Sequence, residues 1–195
     1  MKVQERLISY VTVRTPSNEE SETVPSSMCQ FDLARKLEKE MQELGLTEVV
    51  LDDKCYLYGK LPATEGKENI PAIGFIAHMD TVSDFCDHEI HPIITENYDG
   101  GELTLGTSGL ILNPKEFPHL AELKGRTLIT SDGTTILGAD DKAGIAEILT
   151  MIERIQTENR PHGTICVAFT PDEEIGMGAE HFNLDQFGAE VAYTL

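Results

Sequence analysis

Apolar positions along the chain switch between helical and alternating periods, and the switches mark out its elements. Val3, Leu7, Ile8 and Val11 recur at helical spacing and predict a first helix. Residues 15–27 are polar, contain two prolines and read as a loop. Leu33, Leu37, Met41 and Leu44 form the apolar stripe of a second helix over residues 30–44, with Gly45 as its stop. Strands follow at 48–51 and 55–61, separated by the turn residues Asp52 and Asp53. A nearly continuous apolar run at 70–77 has the pattern of a strand buried on both faces. Residues 93–95 and 102–105 flank Asp99-Gly100-Gly101, which reads as a hairpin turn. A short strand at 127–130 leads into the turn Ser131-Asp132-Gly133. A strong helix spans 142–157, with Ala146, Leu149, Ile152 and Ile155 on one stripe and Pro161 just beyond its end. A last apolar strand occupies 164–169.

Strands that alternate with helices predict an α/β fold, a mixed and largely parallel sheet with helices on both faces. No repeat, low-complexity tract or interdomain linker breaks the pattern, and 195 residues suit one domain.

In an open α/β sheet, ligands bind beyond the carboxyl ends of the strands. Three segments carry chemistry at such ends: His78-Met79-Asp80-Thr81, Gly138-Ala139-Asp140-Asp141-Lys142 and Thr170-Pro171-Asp172-Glu173-Glu174. In an extended segment residues two apart share a side, so Asp80 can hold one imidazole nitrogen of His78 and leave the other for a metal. Asp140 and Asp141 precede a helix, where one carboxylate caps the amides and the other is left over for a cation. A carboxylate can also bridge two metals. In the third segment one glutamate can bind metal while its neighbour takes a proton from water. Each segment has a bland reading of its own: a polar strand end, a helix cap, a charged loop. Their joint occurrence gives imidazole and carboxylate donors that suit zinc, or manganese or cobalt.

Composition narrows the partners. With 34 acidic and 15 basic residues the formal net charge is -19, which repels nucleic acid and anionic membranes. The four cysteines are scattered, with no C-x-x-C, as in reduced thiols of a cytoplasmic protein. Charges at Lys2, Glu5, Arg6 and Arg14 interrupt any leader-like apolar run, and the run at 70–77 is far below the ~20 residues of a membrane span. The expected location is the cytoplasm. His88-Glu89-Ile90-His91 lacks the spacing of H-E-x-x-H, and no G-x-S-x-G elbow or Walker loop is present.

The stretches FIAHMDT (75–81), ENYDGGELTLG (96–106), TLITSDGTTILGADDKAGIAEI (127–148) and VAFTPDEEIGMGAEHF (167–182) resemble the M20 metallopeptidases, and the similarity runs to AYTL at 192–195. The resemblance implies a zinc-peptidase catalytic domain with two zinc ions and small peptide substrates, tripeptides in particular. It implies that His78 binds one zinc and Asp80 orients it. Asp140 would bridge both ions ahead of a cis peptide to Asp141, Glu173 would be the general base, and Glu174 would bind the second zinc. Relatives that cleave dipeptides or N-acyl amino acids share these motifs, and a non-catalytic α/β fragment is the other alternative. The family places another zinc-binding Asp after the strand ending at Leu195, a further His later, and a lid or dimerisation domain. Residues 1–195 are therefore expected to be the N-terminal part of the catalytic domain, binding zinc poorly and showing little activity alone.

Overall fold

The computed structural model describes residues 1–195. The elements are α1 (Val3–Val11), α2 (Gln30–Glu43), β1 (Thr47–Leu51), β2 (Leu57–Leu61), β3 (Ile73–His78), β4 (Ile93–Thr95), β5 (Leu103–Thr104), β6 (Ile111–Leu112), β7 (Leu128–Thr130), α3 (Lys142–Thr157), β8 (Ile165–Thr170), α4 (Leu184–Phe187) and β9 (Val191–Thr194). They form two compact units, one of residues 1–83 with 138–195 and one of residues 84–137.

The first unit is built on a five-stranded sheet ordered β1-β2-β8-β3-β9. The pairs β1–β2 and β2–β8 are antiparallel, and β3 is parallel to both β8 and β9. The sheet is thus mixed, and its parallel part ends at the candidate site. β8 lies mid-sheet and is buried along its whole length, as its apolar run requires. β3 begins at Ile73 rather than Ile70 and is only partly buried, because its neighbour β9 is an exposed edge strand.

One face of the sheet carries α1, α2 and α3. Leu33, Leu37 and Met41 of α2 and Ile145, Leu149 and Ile152 of α3 are fully buried against Leu57, Val167 and Phe169. The other face carries the short α4, where Phe187 and the preceding Phe182 pack on Tyr58, Cys166 and Ala168. The phenyl ring of Phe187 lies so close that a Cβ on Gly74 would sit 2.3 Å from it, so only glycine fits there. The helices are therefore spread unevenly over the two faces.

α1 departs from its apolar pattern. Its buried residues are Arg6, Tyr10 and Val11, while Val3 is exposed. Arg6 donates to Glu40 of α2 at 2.7 Å and to Glu153 of α3 at 2.8 Å, and the Tyr10 hydroxyl donates to Glu40 at 2.6 Å. Carboxylates from two neighbouring helices make the guanidinium tolerable inside, which no local period can announce.

In the second unit the expected 93–95/102–105 hairpin does not form. β4 pairs with β7 and β5 with β6, both antiparallel. Asp99-Gly100-Gly101 still turns the chain, with Gly100 at φ +86° and the Gly101 amide donating to Asp99 at 2.8 Å. The flanking strands find other partners because Tyr98 is drawn into a small core with Leu103 and Leu120.

Candidate metal centre

His78 ends β3, Thr170 ends β8, and the two are opposite each other in parallel register. The segments after them, 79–81 and 171–174, therefore leave the sheet side by side. The N-terminus of α3 carries Asp140 and Asp141 to the same edge. The three segments that carry chemistry in the sequence come together here.

The imidazole of His78 is buried, 7% exposed. Its Nδ1 lies 3.0 Å from the backbone oxygen of Asp80 and 3.4 Å from the Asp80 carboxylate. A carbonyl oxygen only accepts, so Nδ1 carries a proton and Nε2 is the atom turned to the site. Nε2 lies 3.0 Å from Asp140 Oδ1 and 3.8 Å from Glu173 Oε2. The Asp80 carboxylate, fully buried, accepts from the backbone amides of Glu173 at 2.9 Å and Glu174 at 3.1 Å. One carboxylate thus ties the histidine to the glutamate turn.

The paired aspartates divide their work. Asp141 is the N-cap of α3 and accepts from the Gly144 amide at 3.0 Å. Asp140 points outward to His78, with its side chain 88% exposed. The peptide between them is cis. Lys142 is fully buried and donates to the Val13 carbonyl at 2.7 Å, and Thr15 donates to the Met79 carbonyl at 2.7 Å. The segment read as a plain loop at 15–27 is thus part of what holds the site, a role for which the sequence offers no pattern.

Titration follows from this packing. Burial disfavours the His78 cation, but hydrogen bonding to Asp80, its charge, and Asp140 and Asp141 outweigh that and push the imidazole up to about 9. Burial raises Asp141 to about 6 against the pull of the Gly144 amide and His78. Burial also raises Glu174, opposed by His78 and reinforced by Asp80, Asp140 and Glu173.

The raised His78 value has a consequence for the metal-free chain. The native state holds that proton more tightly than the unfolded chain does, so stability falls as pH rises from about 6.5 to about 9. The expected loss is on the order of 2–3 kcal/mol. Urea unfolding in chelator across that range measures it. His78→Gln should flatten the slope, and a wild-type midpoint that stays level from pH 6.5 to 9 would contradict it.

The donors fit zinc in kind: one neutral-capable imidazole nitrogen fixed by its other nitrogen, and carboxylates around it. The 3.0 Å between His78 Nε2 and Asp140 is near the roughly 3.3 Å expected of two donors on one tetrahedral zinc. No group of three or more His, Cys, Asp or Glu side chains is placed to hold a metal ion together. His88, by contrast, pairs with its neighbour Asp87 at 2.6 Å on the exposed surface.

Comparison with known proteins shows what the chain is similar to. The model of peptidase family M20/M25/M40 matches residues 131–191, the stretch holding Asp140, Glu173 and Glu174. Peptidase T of Desulfitobacterium hafniense (strain Y51) is 54% identical over 195 residues, covering 99% of this chain and 47% of its own length. The chain is similar to peptidase family M20. It is also similar to Peptidase T of Alkaliphilus oremlandii, at 50% identity over 98% of this chain and 47% of the relative. The crystal structure of aminopeptidase PepT from Bacillus cereus superposes with a TM-score of 0.69 at 29% identity, covering 99% of this chain and 42% of that one. A tripeptidase from Staphylococcus aureus gives 0.67 at 26% identity, over 98% of this chain and 42% of that one. The chain spans about half the length of the curated Peptidase T relatives it matches. No helix is long and apolar enough to cross a membrane.

Proposed function

We propose that this chain carries the zinc-binding and proton-transferring residues of an aminopeptidase that releases the N-terminal residue of tripeptides. The observation that carries the proposal is His78 Nε2 facing Asp140 at 3.0 Å and Glu173 at 3.8 Å, with Nδ1 held by Asp80. The similarity to Peptidase T and to a tripeptidase supports the substrate class.

His78, Asp140 and Glu174 are the residues that would hold zinc. When bound, zinc supplies a Lewis acid toward the peptide carbonyl and lowers the pKa of water. Asp80 keeps the proton of His78 on Nδ1 and so presents the Nε2 lone pair to the site. Glu173 is more than half exposed, at 56%, and stands free to take a proton from the attacking water and return it to the leaving amine. The other M20 activities, on dipeptides and N-acyl amino acids, would use the same residues.

Substrate preference is the test. A full-length protein carrying this chain, assayed with zinc on tripeptides, dipeptides and N-acylated amino acids, is expected to cleave tripeptides with the highest kcat/KM. Preference for the acylated set would overturn the reading.

A further inference from the structure

Asp172 takes no part in the proposed chemistry, yet its carboxylate is almost entirely buried, 1% exposed, at the root of the turn that carries both glutamates. It accepts from the Ser26 amide at 2.7 Å, the Ser26 hydroxyl at 2.5 Å and the Gln30 side-chain amide at 2.6 Å. Gln30 is itself fully buried at the start of α2, and the Asn18 amide donates to Ser26 Oγ at 2.9 Å. Three donors from residues more than 140 positions away thus converge on one carboxylate.

Its backbone is also unusual. Asp172 sits at φ +56°, in the left-handed region that L-residues rarely adopt. The next residues form the short turn Glu173–Ile175, and the Met177 amide closes it by donating to the Asp172 carbonyl at 2.9 Å. A left-handed residue followed by right-handed ones turns successive amides toward one side, the geometry of a backbone nest that receives an anion. Here the anion is Asp80, which takes the amides of both Glu173 and Glu174.

We propose that Asp172 is a positioning residue of the centre. Gripped by Ser26 and Gln30, it fixes the left-handed turn that lays the Glu173 and Glu174 amides on Asp80 and so sets where both side chains point. The sequence 13–30 then acts as a strap: Thr15 holds the segment after His78, Val13 receives Lys142, and Ser26 with Gln30 holds the glutamate turn. The inference rests on the reading of Glu173 and Glu174 as site residues, but its structural core can be tested without metal or substrate.

Amide hydrogen exchange by NMR on the 195-residue chain is the experiment. Asn tolerates the left-handed region but puts a donor where the carboxylate accepted, so Asp172→Asn attacks the grip and spares the backbone conformation. Exchange at Glu173 and Glu174 is expected to quicken at least about tenfold, while Val167 in β8 and Leu149 in α3 keep their rates. Ser26→Ala should act in the same direction and more weakly. Unchanged exchange at the two glutamates in both variants would overturn the proposal. So would equal acceleration at all four amides, which would make Asp172 a general support of the fold. Titration of the same samples with zinc chloride reads the metal separately, with affinity expected to fall by about tenfold or more in Asp172→Asn. If exchange responds as expected and a full-length protein carrying this chain takes up no zinc, the positioning role stands and the peptidase reading falls.

Discussion

Glu173→Gln, in a full-length protein carrying this chain, is expected to lower kcat on a tripeptide by about 10²–10⁴-fold with KM little changed. The glutamine has nearly the same shape but cannot hold the proton that water must lose. The side chain is more than half exposed and lies 3.8 Å from His78, so the fold does not depend on its charge. Steady-state kinetics at matched zinc content measure the effect. A drop below about fivefold would move the proton-accepting role to another group.

Asp80→Ala should be the most damaging substitution for the folded chain. Asp80 is fully buried, accepts two backbone amides and lies 3.4 Å from the charged imidazole of His78. Alanine leaves both amides without an acceptor and takes a counter-charge from the buried imidazole, whose Nδ1 keeps only the backbone oxygen of residue 80, at a cost of about 3–5 kcal/mol. Asp80→Asn keeps one acceptor oxygen and should cost less. Chemical unfolding of the metal-free variants gives the comparison. A loss under about 1 kcal/mol for alanine would mean that the carboxylate does not hold the two segments together.

The sequence speaks clearly where physical signals are local. α3 begins and ends where its apolar stripe, its paired aspartates and Pro161 indicate, because capping and helix period act within a few residues. The places of the His78, Asp140 and Glu173–Glu174 segments, at strand ends and a helix start, were legible for the same reason. The pairing of β4 with β7 was not, since Asp99-Gly100-Gly101 makes a turn whichever strands it joins and partners are chosen by tertiary packing. Arg6 was hidden by the apolar residues around it, because its burial depends on Glu40 and Glu153 from distant helices. Asp172 was hidden differently: beside two glutamates it looks like one more charge of a solvated run, and only the folded chain shows Ser26 and Gln30 closing on it.

Convergence of three distant segments on a metal is most directly tested by calorimetric titration of the 195-residue chain with zinc, alongside Asp140→Ala. With His78, Asp140 and Glu174 as ligands, the wild-type chain should take up zinc weakly, releasing the His78 proton as it does so, and the variant should take up markedly less. Equal uptake by both chains would contradict the site.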